Sequence, residues 1–227
     1  RGVCITPDNH YALVAHVLSN FDLVASHVEE GWMNTNAISF VDLKAKKWAG
    51  NAVLDDRYMG AANPWHIAFS PDAETLFVTH AGSHELSVIP MSPLFDGIQW
   101  GYEYRGPIGG INFPMEHRRR IRLPGNGPRV LLVDRSRVFV AEYFSDTVVV
   151  LDSGATDKLE PRTIPLGPRR EPSLARRGEM LFHDARLCYQ QWQTCASCHP
   201  DGRTDGLNWD LLNDGAGNRK NTKSLLL

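Results

Sequence analysis

Residues 66–80 read HIAFSPDAETLFVTH, and their pattern indicates the fold class. Two apolar, β-branched runs flank a turn at Ser70–Asp72, in which Pro presets φ and Asp can bond its own backbone. Residues 2–16, GVCITPDNHYALVAH, repeat the order of strand, Thr-Pro-Asp turn, strand and final His. A third copy at residues 129–142 lacks the Pro. The sequence therefore predicts a repeated pair of antiparallel strands.

A further strand follows each of these copies. Apolar and β-branched residues bounded by polar turns predict it at Ala37–Asp42, Leu86–Ile89 and Thr147–Asp152. The repeat unit is thus a meander of short antiparallel strands. The copies are spaced more widely than a four-stranded blade of roughly 40 to 45 residues. We interpret the excess as loops inserted at residues 25–35 and 95–114, the second rich in Gly and aromatic residues.

Residues 69–89, FSPDAETLFVTHAGSHELSVI, resemble the YVTN-type β-propeller repeat, with Leu76–Thr79 at the signature position. The resemblance covers roughly residues 1–160. It implies a mainly β fold, a partial β-propeller of about three blades, which we assign to residues 1–166. Because propellers close with roughly 4 to 8 blades, we expect an incomplete ring here, with further blades upstream in a longer protein.

Composition narrows the class of protein. Of the 227 residues, 42% are hydrophobic and 22% charged, which is globular composition and excludes disorder. The formal net charge of −2 gives no basic signal, so no nucleic-acid partner is expected. The apolar runs are too short to span a bilayer.

Three residues near the end carry a chemical motif. Cys195, Cys198 and His199 form C-x-x-C-H, the signature of c-type haem attachment. Two thiols at this spacing can form thioethers with the two haem vinyl groups, and the adjoining imidazole then supplies the proximal nitrogen to iron. We predict one haem c, bound by both cysteines, with His199 as metal ligand. Two alternatives stay open: a Cys3His zinc site that adds Cys188, and a redox dithiol.

Residues 172–227 as a whole resemble the haem-bearing N-terminal part of dihaem cytochrome c peroxidase-like domains. The matching elements surround the motif: Arg177-Gly178, Leu181-Phe182, Asp205-Gly206 and Asn221-Thr222-Lys223-Ser224-Leu225, where Lys223 replaces the usual Pro. The resemblance implies a small α-helical cytochrome c-like segment, which we assign to residues 167–227. It also implies a periplasmic or otherwise extracytoplasmic bacterial oxidoreductase with a redox partner protein.

The sequence predicts a helix from Ser173 to Ala185, with Ser173 as N-cap. Met180 and His183 lie on it, upstream of the motif, and no Met or His follows His199. We interpret Met180 as core and His183 as exposed or bonded to the backbone. The sixth iron ligand is therefore expected in a further downstream segment rather than in this sequence.

Other residues have weaker functional interpretations beside structural ones. Arg203 and Arg219 could pair with haem propionates or lie on the surface. Trp192 and Trp209 could pack on the porphyrin or form ordinary aromatic core. We interpret Cys188 as a buried free thiol, although pairing with Cys4 stays open.

The propeller part also holds candidate residues. His16 and His80 occupy equivalent strand ends, where an imidazole can bond a neighbouring turn, and we interpret both as structural. The basic run His117–Arg120, with Arg122 and Arg129, is interpreted as a solvated loop rather than a docking patch for an acidic protein.

The predicted function is that of an extracytoplasmic redox protein with covalent haem, serving electron transfer or peroxidase-like oxidoreduction. Whether the protein is an enzyme stays open, because the sequence offers no complete acid/base constellation. The alternative is a propeller binding module, in which the haem, or a zinc ion at the Cys/His cluster, is structural. The oligomeric state is not predicted.

Overall fold

The computed structural model describes residues 2–22, 24, 33–56, 58–94, 117–152, 160–168, 170–212 and 214–226. Within them, three four-stranded antiparallel sheets follow one another along the chain. Each sheet is a meander in which sequential strands pair. We call these sheets blades 1, 2 and 3.

The strand bounds are as follows. Blade 1 contains β1 (Val3–Ile5), β2 (Tyr11–Ser19), β3 (Asn34–Asp42) and β4 (Lys47–Val53). Blade 2 contains β5 (Pro64–Phe69), β6 (Thr75–His80), β7 (Glu85–Pro90) and β8 (Arg119–Arg122). Blade 3 contains β9 (Pro128–Asp134), β10 (Arg137–Glu142), β11 (Thr147–Asp152) and β12 (Arg162–Pro165).

The predicted mainly β, propeller-like architecture with about three blades is confirmed. The strands predicted after each repeat copy correspond to β3, β7 and β11. Of the predicted loops, residues 95–114 lie outside the described residues. So do residues 25–32 of the first loop, whereas residues 34–35 already belong to β3.

Two apolar clusters hold the blades together. Strand β6 alternates between them, because successive side chains of a strand point to opposite faces. Leu76 and Val78 pack with residues of blade 1 such as Phe40. Phe77, on the opposite face of β6, packs with residues of blade 3 such as Leu131. Blade 2 is therefore buried on both faces by its neighbours, and the first strands of consecutive blades contact one another.

One edge of the three sheets matters for the site. In an antiparallel meander every second connection lies at the same edge, so the turns between second and third strands share an edge with the connections between blades. We call this the docking edge. It comprises residues 54–56, 58–63, 81–84, 123–127 and 143–146, together with the start of β3 at residues 34–36.

After the blades, the chain forms short elements. Helix α1 (Leu174–Phe182) and helix α2 (Cys195–Cys198) are accompanied by 3₁₀ turns at Ala185–Leu187, Tyr189–Gln191 and Pro200–Gly202. Strands β13 (Asn208–Trp209) and β14 (Lys220–Asn221) form a small ladder. These short helices do not by themselves make a helical cytochrome domain, so that assignment and the boundary after residue 166 stay predictions. No helix among the described residues is long and apolar enough to span a bilayer.

The N-terminus of α1 is where the sequence predicts it. The Ser173 hydroxyl accepts from the Arg176 N–H at 3.2 Å, so the predicted N-cap is confirmed. The helix ends at Phe182 rather than at the predicted Ala185. The physical reason is Asp184, whose carboxylate accepts the backbone N–H of Arg186 at 2.9 Å and starts a 3₁₀ turn instead.

Candidate functional site

The C-x-x-C-H motif forms a single helical turn. Cys195 and Cys198 are the first and last residues of α2, so their side chains leave the same side of the helix. Cys195 is exposed and Cys198 is half-buried, and all four cysteines of the chain carry free thiols. The His199 N–H donates to the Cys195 carbonyl at 2.9 Å and ends the helix. The structure thus brings the three predicted residues together.

The imidazole of His199 is oriented by the backbone that follows it. Its Nδ1 lies 3.3 Å from the carbonyl oxygen of Arg203, so an Nδ1–H group donates there. That hydrogen bond selects the tautomer with a lone pair on Nε2, which is the usual second-shell arrangement of a metal-ligating histidine. No hydrogen bond to Nε2 is found within the described residues. His199 therefore presents a ligand-type nitrogen.

The motif turn is seated on the docking edge by Asn63. This residue has φ 54, a left-handed conformation that Asn tolerates better than most residues. Its amide nitrogen donates to the Thr194 hydroxyl at 2.6 Å, and its amide oxygen accepts from the Ser197 hydroxyl at 2.9 Å. The Ser197 hydroxyl also accepts the Thr194 N–H at 3.0 Å. One buried propeller amide thereby binds both ends of the first turn of α2.

Asn36 and Asp55 form a buried support beneath this contact. The Asn36 amide nitrogen donates to Asp55 Oδ1 at 2.8 Å and to the Trp192 carbonyl at 3.1 Å. The Asp55 carboxylate also accepts the backbone N–H groups of Asn36 and Ala61, at 2.8 and 2.7 Å. Burial raises the pKa of Asp55 to about 6, even though these hydrogen bonds favour the charged form.

Asn34 reaches the motif itself. Its amide nitrogen donates to Gln193 Oε1 at 2.6 Å and lies 3.7 Å from Cys198 Sγ, within hydrogen-bond distance for sulfur. The Ser19 hydroxyl donates to its amide oxygen at 2.9 Å, which fixes the orientation of the amide. Burial raises the pKa of the Cys198 thiol to about 11, while the Asn34 hydrogen bond opposes that shift.

Two glycines allow the close approach of the C-terminal segment. A Cβ atom on Gly60 would lie 2.4 Å from both the Gln191 carbonyl oxygen and the Trp192 Cα. The Gly60 N–H donates to the Gln190 carbonyl at 2.7 Å. On the next blade, the Gly82 carbonyl accepts the Ala185 N–H at 3.0 Å. Backbone meets backbone at both points, so no side chain fits at Gly60.

Blades 2 and 3 contact the segment through His84. The imidazole Nε2 lies 3.2 Å from Asp184 Oδ1, and Nδ1 accepts the Gly127 N–H at 2.9 Å. Burial lowers the pKa of His84 to about 4. Burial of Asp184 opposes its ionisation, but hydrogen bonds from Arg186 and the nearby His84 lower its pKa to about 2. The contact is therefore a neutral imidazole donating to a carboxylate.

Helix α1 is attached to blade 3 by stacked cations. The Arg129 and Arg176 guanidinium groups lie 3.6 and 4.0 Å from the ring centroid of Tyr143. Arg176 also donates to the Tyr143 carbonyl at 2.5 Å.

A cleft of about 580 Å³ lies beside this contact, between the propeller, α1 and the chain after the motif. Its lining comprises Trp65, Arg129, Gly178, Glu179, Phe182, His183, Asp201, Gly202, Leu225 and Leu226.

The other residues near the motif are placed as follows. His183 Nδ1 donates to the Glu179 carbonyl at 2.9 Å, as its backbone-bonded interpretation predicts. Trp192 and Trp209 are both buried. Arg219 donates to the Asp22 carbonyl at 3.1 Å. Arg203 is exposed.

Met180 and Cys188 are each half-buried. No group of three or more His, Cys, Asp or Glu side chains in the described part of the chain is arranged to hold a metal ion.

The structural interpretation of His16 and His80 is confirmed. His80 bonds the Ala61 carbonyl at 2.9 Å and the Ser87 hydroxyl at 2.7 Å, and it is fully buried. His16 makes the equivalent contact with the Ser39 hydroxyl at 2.6 Å. In blades 1 and 2, the imidazole therefore joins the second strand to the third by an equivalent hydrogen bond.

The interpretation of the basic run as a solvated loop is wrong for Arg118 and Arg120, although His117, Arg119 and Arg122 are exposed. Residues 119–122 form strand β8, and the side chains of Arg118 and Arg120 are largely enclosed by the connection between blades 1 and 2. Their guanidinium groups lie 2.5 and 2.6 Å from the Asp56 carboxylate, and Arg120 also pairs with Glu85. The acidic partner of this cluster thus belongs to the same chain.

Sequence reasoning missed the residues that seat the motif: Asn34, Asn36, Asp55 and Asn63. They are short polar residues at strand boundaries, where turn formation explains them equally well. The only local signal is the pair of asparagines at 34 and 36, at the start of strand β3.

Comparison with known proteins gives two sequence relatives, both from Kuenenia stuttgartiensis. Hydrazine synthase subunit beta is 26% identical over 159 residues, which cover 66% of this chain and 40% of that protein. Hydrazine synthase subunit gamma is 38% identical over 87 residues, which cover 34% of this chain and 25% of that protein. The chain therefore spans less than half the length of either relative. No protein-family model matches the sequence.

A solved structure supports the same similarity. Kuenenia stuttgartiensis hydrazine synthase superposes with a TM-score of 0.60 at 26% identity, over 69% of this chain and 46% of that one. The chain is thus similar in sequence and in fold to subunits of a multi-subunit enzyme.

Proposed function

We propose that this chain binds one c-type haem through Cys195, Cys198 and His199, and that it transfers electrons within a larger redox assembly outside the cytoplasm. The observation that carries the proposal is the hydrogen bond from His199 Nδ1 to the Arg203 carbonyl, which directs a free Nε2 away from the backbone. It accompanies two cysteines on one turn, of which Cys195 is open to solvent.

The donor set fits this cofactor. Two thiols and an imidazole on consecutive positions are what covalent haem attachment requires. When bound, a haem c would supply an iron centre that accepts and releases single electrons. The role of the chain is to hold the proximal imidazole in one orientation and to keep the motif turn fixed on the propeller. Four propeller side chains, Asn34, Asn36, Asp55 and Asn63, support that turn.

The comparisons favour a protein partner. Both sequence relatives are named as subunits of hydrazine synthase, so we infer that this chain also assembles with other subunits of a redox enzyme. Placement in the periplasm follows from covalent haem attachment and depends on it. The predicted peroxidase-like activity has less support, since none of the contacts described above pairs an acid with a base beside His199.

The test is a pyridine haemochrome spectrum of the chain, co-expressed with a c-type maturation system. We expect a c-type spectrum that survives acid-acetone extraction. Replacing both anchors, Cys195→Ala with Cys198→Ala, should abolish it. The matched control is Cys188→Ala, which removes the neighbouring thiol and should leave the spectrum intact. A chain without haem but with stoichiometric zinc would contradict the proposal and support the structural-zinc alternative.

A further inference from the structure

We propose that Asn34 of the propeller is a positioning residue for the haem-attachment site, acting through the sulfur of Cys198. This inference rests on the proposed function, because it assigns a role toward the same site. It makes the propeller a part of that site rather than a separate domain joined to it.

First, contacts within blade 1 orient the Asn34 side chain independently of the motif. It lies at the start of β3 and is almost fully buried, with 1% of its surface exposed. Its amide oxygen accepts from Ser19, on the paired strand β2. Because the oxygen is engaged on one side, the amide nitrogen must point to the other, toward the motif turn.

The second step is what the amide nitrogen meets there. One N–H donates to Gln193 Oε1 at 2.6 Å, and the nitrogen lies 3.7 Å from Cys198 Sγ. The amide therefore uses both donors on groups of the C-terminal segment, one of them the sulfur proposed to form a thioether. No other hydrogen bond to this sulfur is found in the described part of the chain. Asn34 thus determines where Cys198 Sγ points.

The third step concerns electrostatics. An amide N–H aimed at the sulfur places partial positive charge beside the haem-attachment turn. Such a dipole favours the more electron-rich state of a nearby redox centre, and in a buried site it is poorly screened. Removing it should lower the midpoint potential of the haem, besides loosening the sulfur.

Two readouts separate this inference from the proposed function. The first is the rate at which iodoacetamide alkylates Cys198 in the haem-free chain, followed by mass spectrometry with exposed Cys195 as internal reference. The second is the midpoint potential of the haem-loaded protein. The main variant is Asn34→Ala. Ser19→Ala is a milder second variant, because it only frees the amide to rotate, and it guards against a misfolded main variant. Asn51→Ala is the matched control, since the Asn51 amide oxygen accepts from Ser39 and Trp48, which both belong to blade 1.

We expect Asn34→Ala to accelerate Cys198 alkylation several-fold and to shift the potential downward. Ser19→Ala should do the same to a smaller extent, and Asn51→Ala should change neither. Unchanged alkylation of Cys198 in folded Asn34→Ala protein would overturn the positioning role. An unchanged potential beside faster alkylation would overturn its electrostatic part. If the parent chain takes up no haem, the proposed function is wrong, and alkylation alone then decides the role of Asn34.

Discussion

His84 and Asp184 meet across the docking edge, with Nε2 and Oδ1 3.2 Å apart and side chains that are 0% and 5% exposed. Because the Gly127 N–H donates to Nδ1, the neutral imidazole must carry its proton on Nε2 and donate it to the carboxylate. A second proton on Nδ1 would face that N–H group. Burial is the main reason why the pKa of His84 lies below its usual range, and this hydrogen-bond geometry disfavours the charged form as well.

This pair predicts a pH-dependent stability. The folded pKa of His84 is about 4, against 6.5 normally, so between these values the unfolded chain binds a proton that the folded chain does not. The contribution of neutral His84 to the free energy of unfolding is fully present above pH 6.5 and is lost as the pH falls toward 4. The lowered pKa of Asp184 reduces the free energy of unfolding only below about pH 4. Asp55 acts in the opposite sense: its raised folded pKa of about 6 lowers stability as the pH rises from 3.8 to 6.

Because His84 and Asp55 change the stability in opposite directions with pH, the measurement compares the parent chain with a variant that lacks His84. Urea unfolding of the parent chain and of His84→Gln at pH 7 and pH 5 isolates the histidine. We expect the difference in unfolding free energy between them to change by up to about 2 kcal/mol, to the disadvantage of the parent at pH 5. Parallel pH dependences would show that His84 titrates normally.

The backbone of the C-terminal segment lies so close to Gly60 that adding one methyl group there should disturb this contact selectively. Gly60→Ala places Cβ against the backbone at Gln191 and Trp192, which cannot move as a side chain tip could. We expect the C-terminal segment to detach while the blades stay folded, which limited proteolysis between residues 166 and 174 would detect. Gly167→Ala is the control, because its Cβ meets nothing within 4 Å. Equal protease resistance of the two variants would show that the segment is not seated there.

The buried arginines predict an asymmetry between two acidic residues. Asp56→Ala leaves Arg118 and Arg120 without a shared carboxylate, and their side chains are 1% and 9% exposed. The Asp56 carboxylate is itself 45% exposed and Glu85 still pairs with Arg120, so we expect a loss of about 1–2 kcal/mol, below that of a fully buried pair. Asp214→Ala breaks the exposed pair with Lys220 and should cost at most about 1 kcal/mol. Chemical denaturation of both variants checks this, and similar losses would contradict it.

Helix α1 offers a stabilising change. A Cβ on Gly178 meets nothing within 4 Å, and Ala is favoured over Gly in a helix by about 1 kcal/mol. Gly178→Ala should therefore raise the thermal midpoint. Gly206→Ala is the matched control: its surroundings are equally open, but its φ of 74 disfavours Ala, so the midpoint should fall. A lower midpoint for Gly178→Ala would mean that another group packs into the cleft at this residue.

The parts of the molecule that were predictable from sequence are those set by local pattern. Alternating apolar residues and the Ser70–Asp72 turn predict the blades, and the alignment of His16 with His80 predicts their equivalent contacts. The end of α1 was not predictable, because Asp184 leaves the helix to meet His84, a hundred residues away. The same holds for Arg118 and Arg120, whose partner Asp56 lies in the connection between blades 1 and 2, more than sixty residues earlier.

The contacts of Asn63 and Asn34 with the motif have a consequence for the order of events during folding. They join residues 131 to 164 positions apart, so the loops that they close are among the longest in the chain. Blades emerge first during synthesis and can form from neighbouring strands alone. The turn at Cys195–Cys198 should therefore reach its final position only after the blades have formed. Until then its thiols do not contact the propeller. An enzyme that modifies these thiols would therefore act most easily before the turn binds to Asn34 and Asn63.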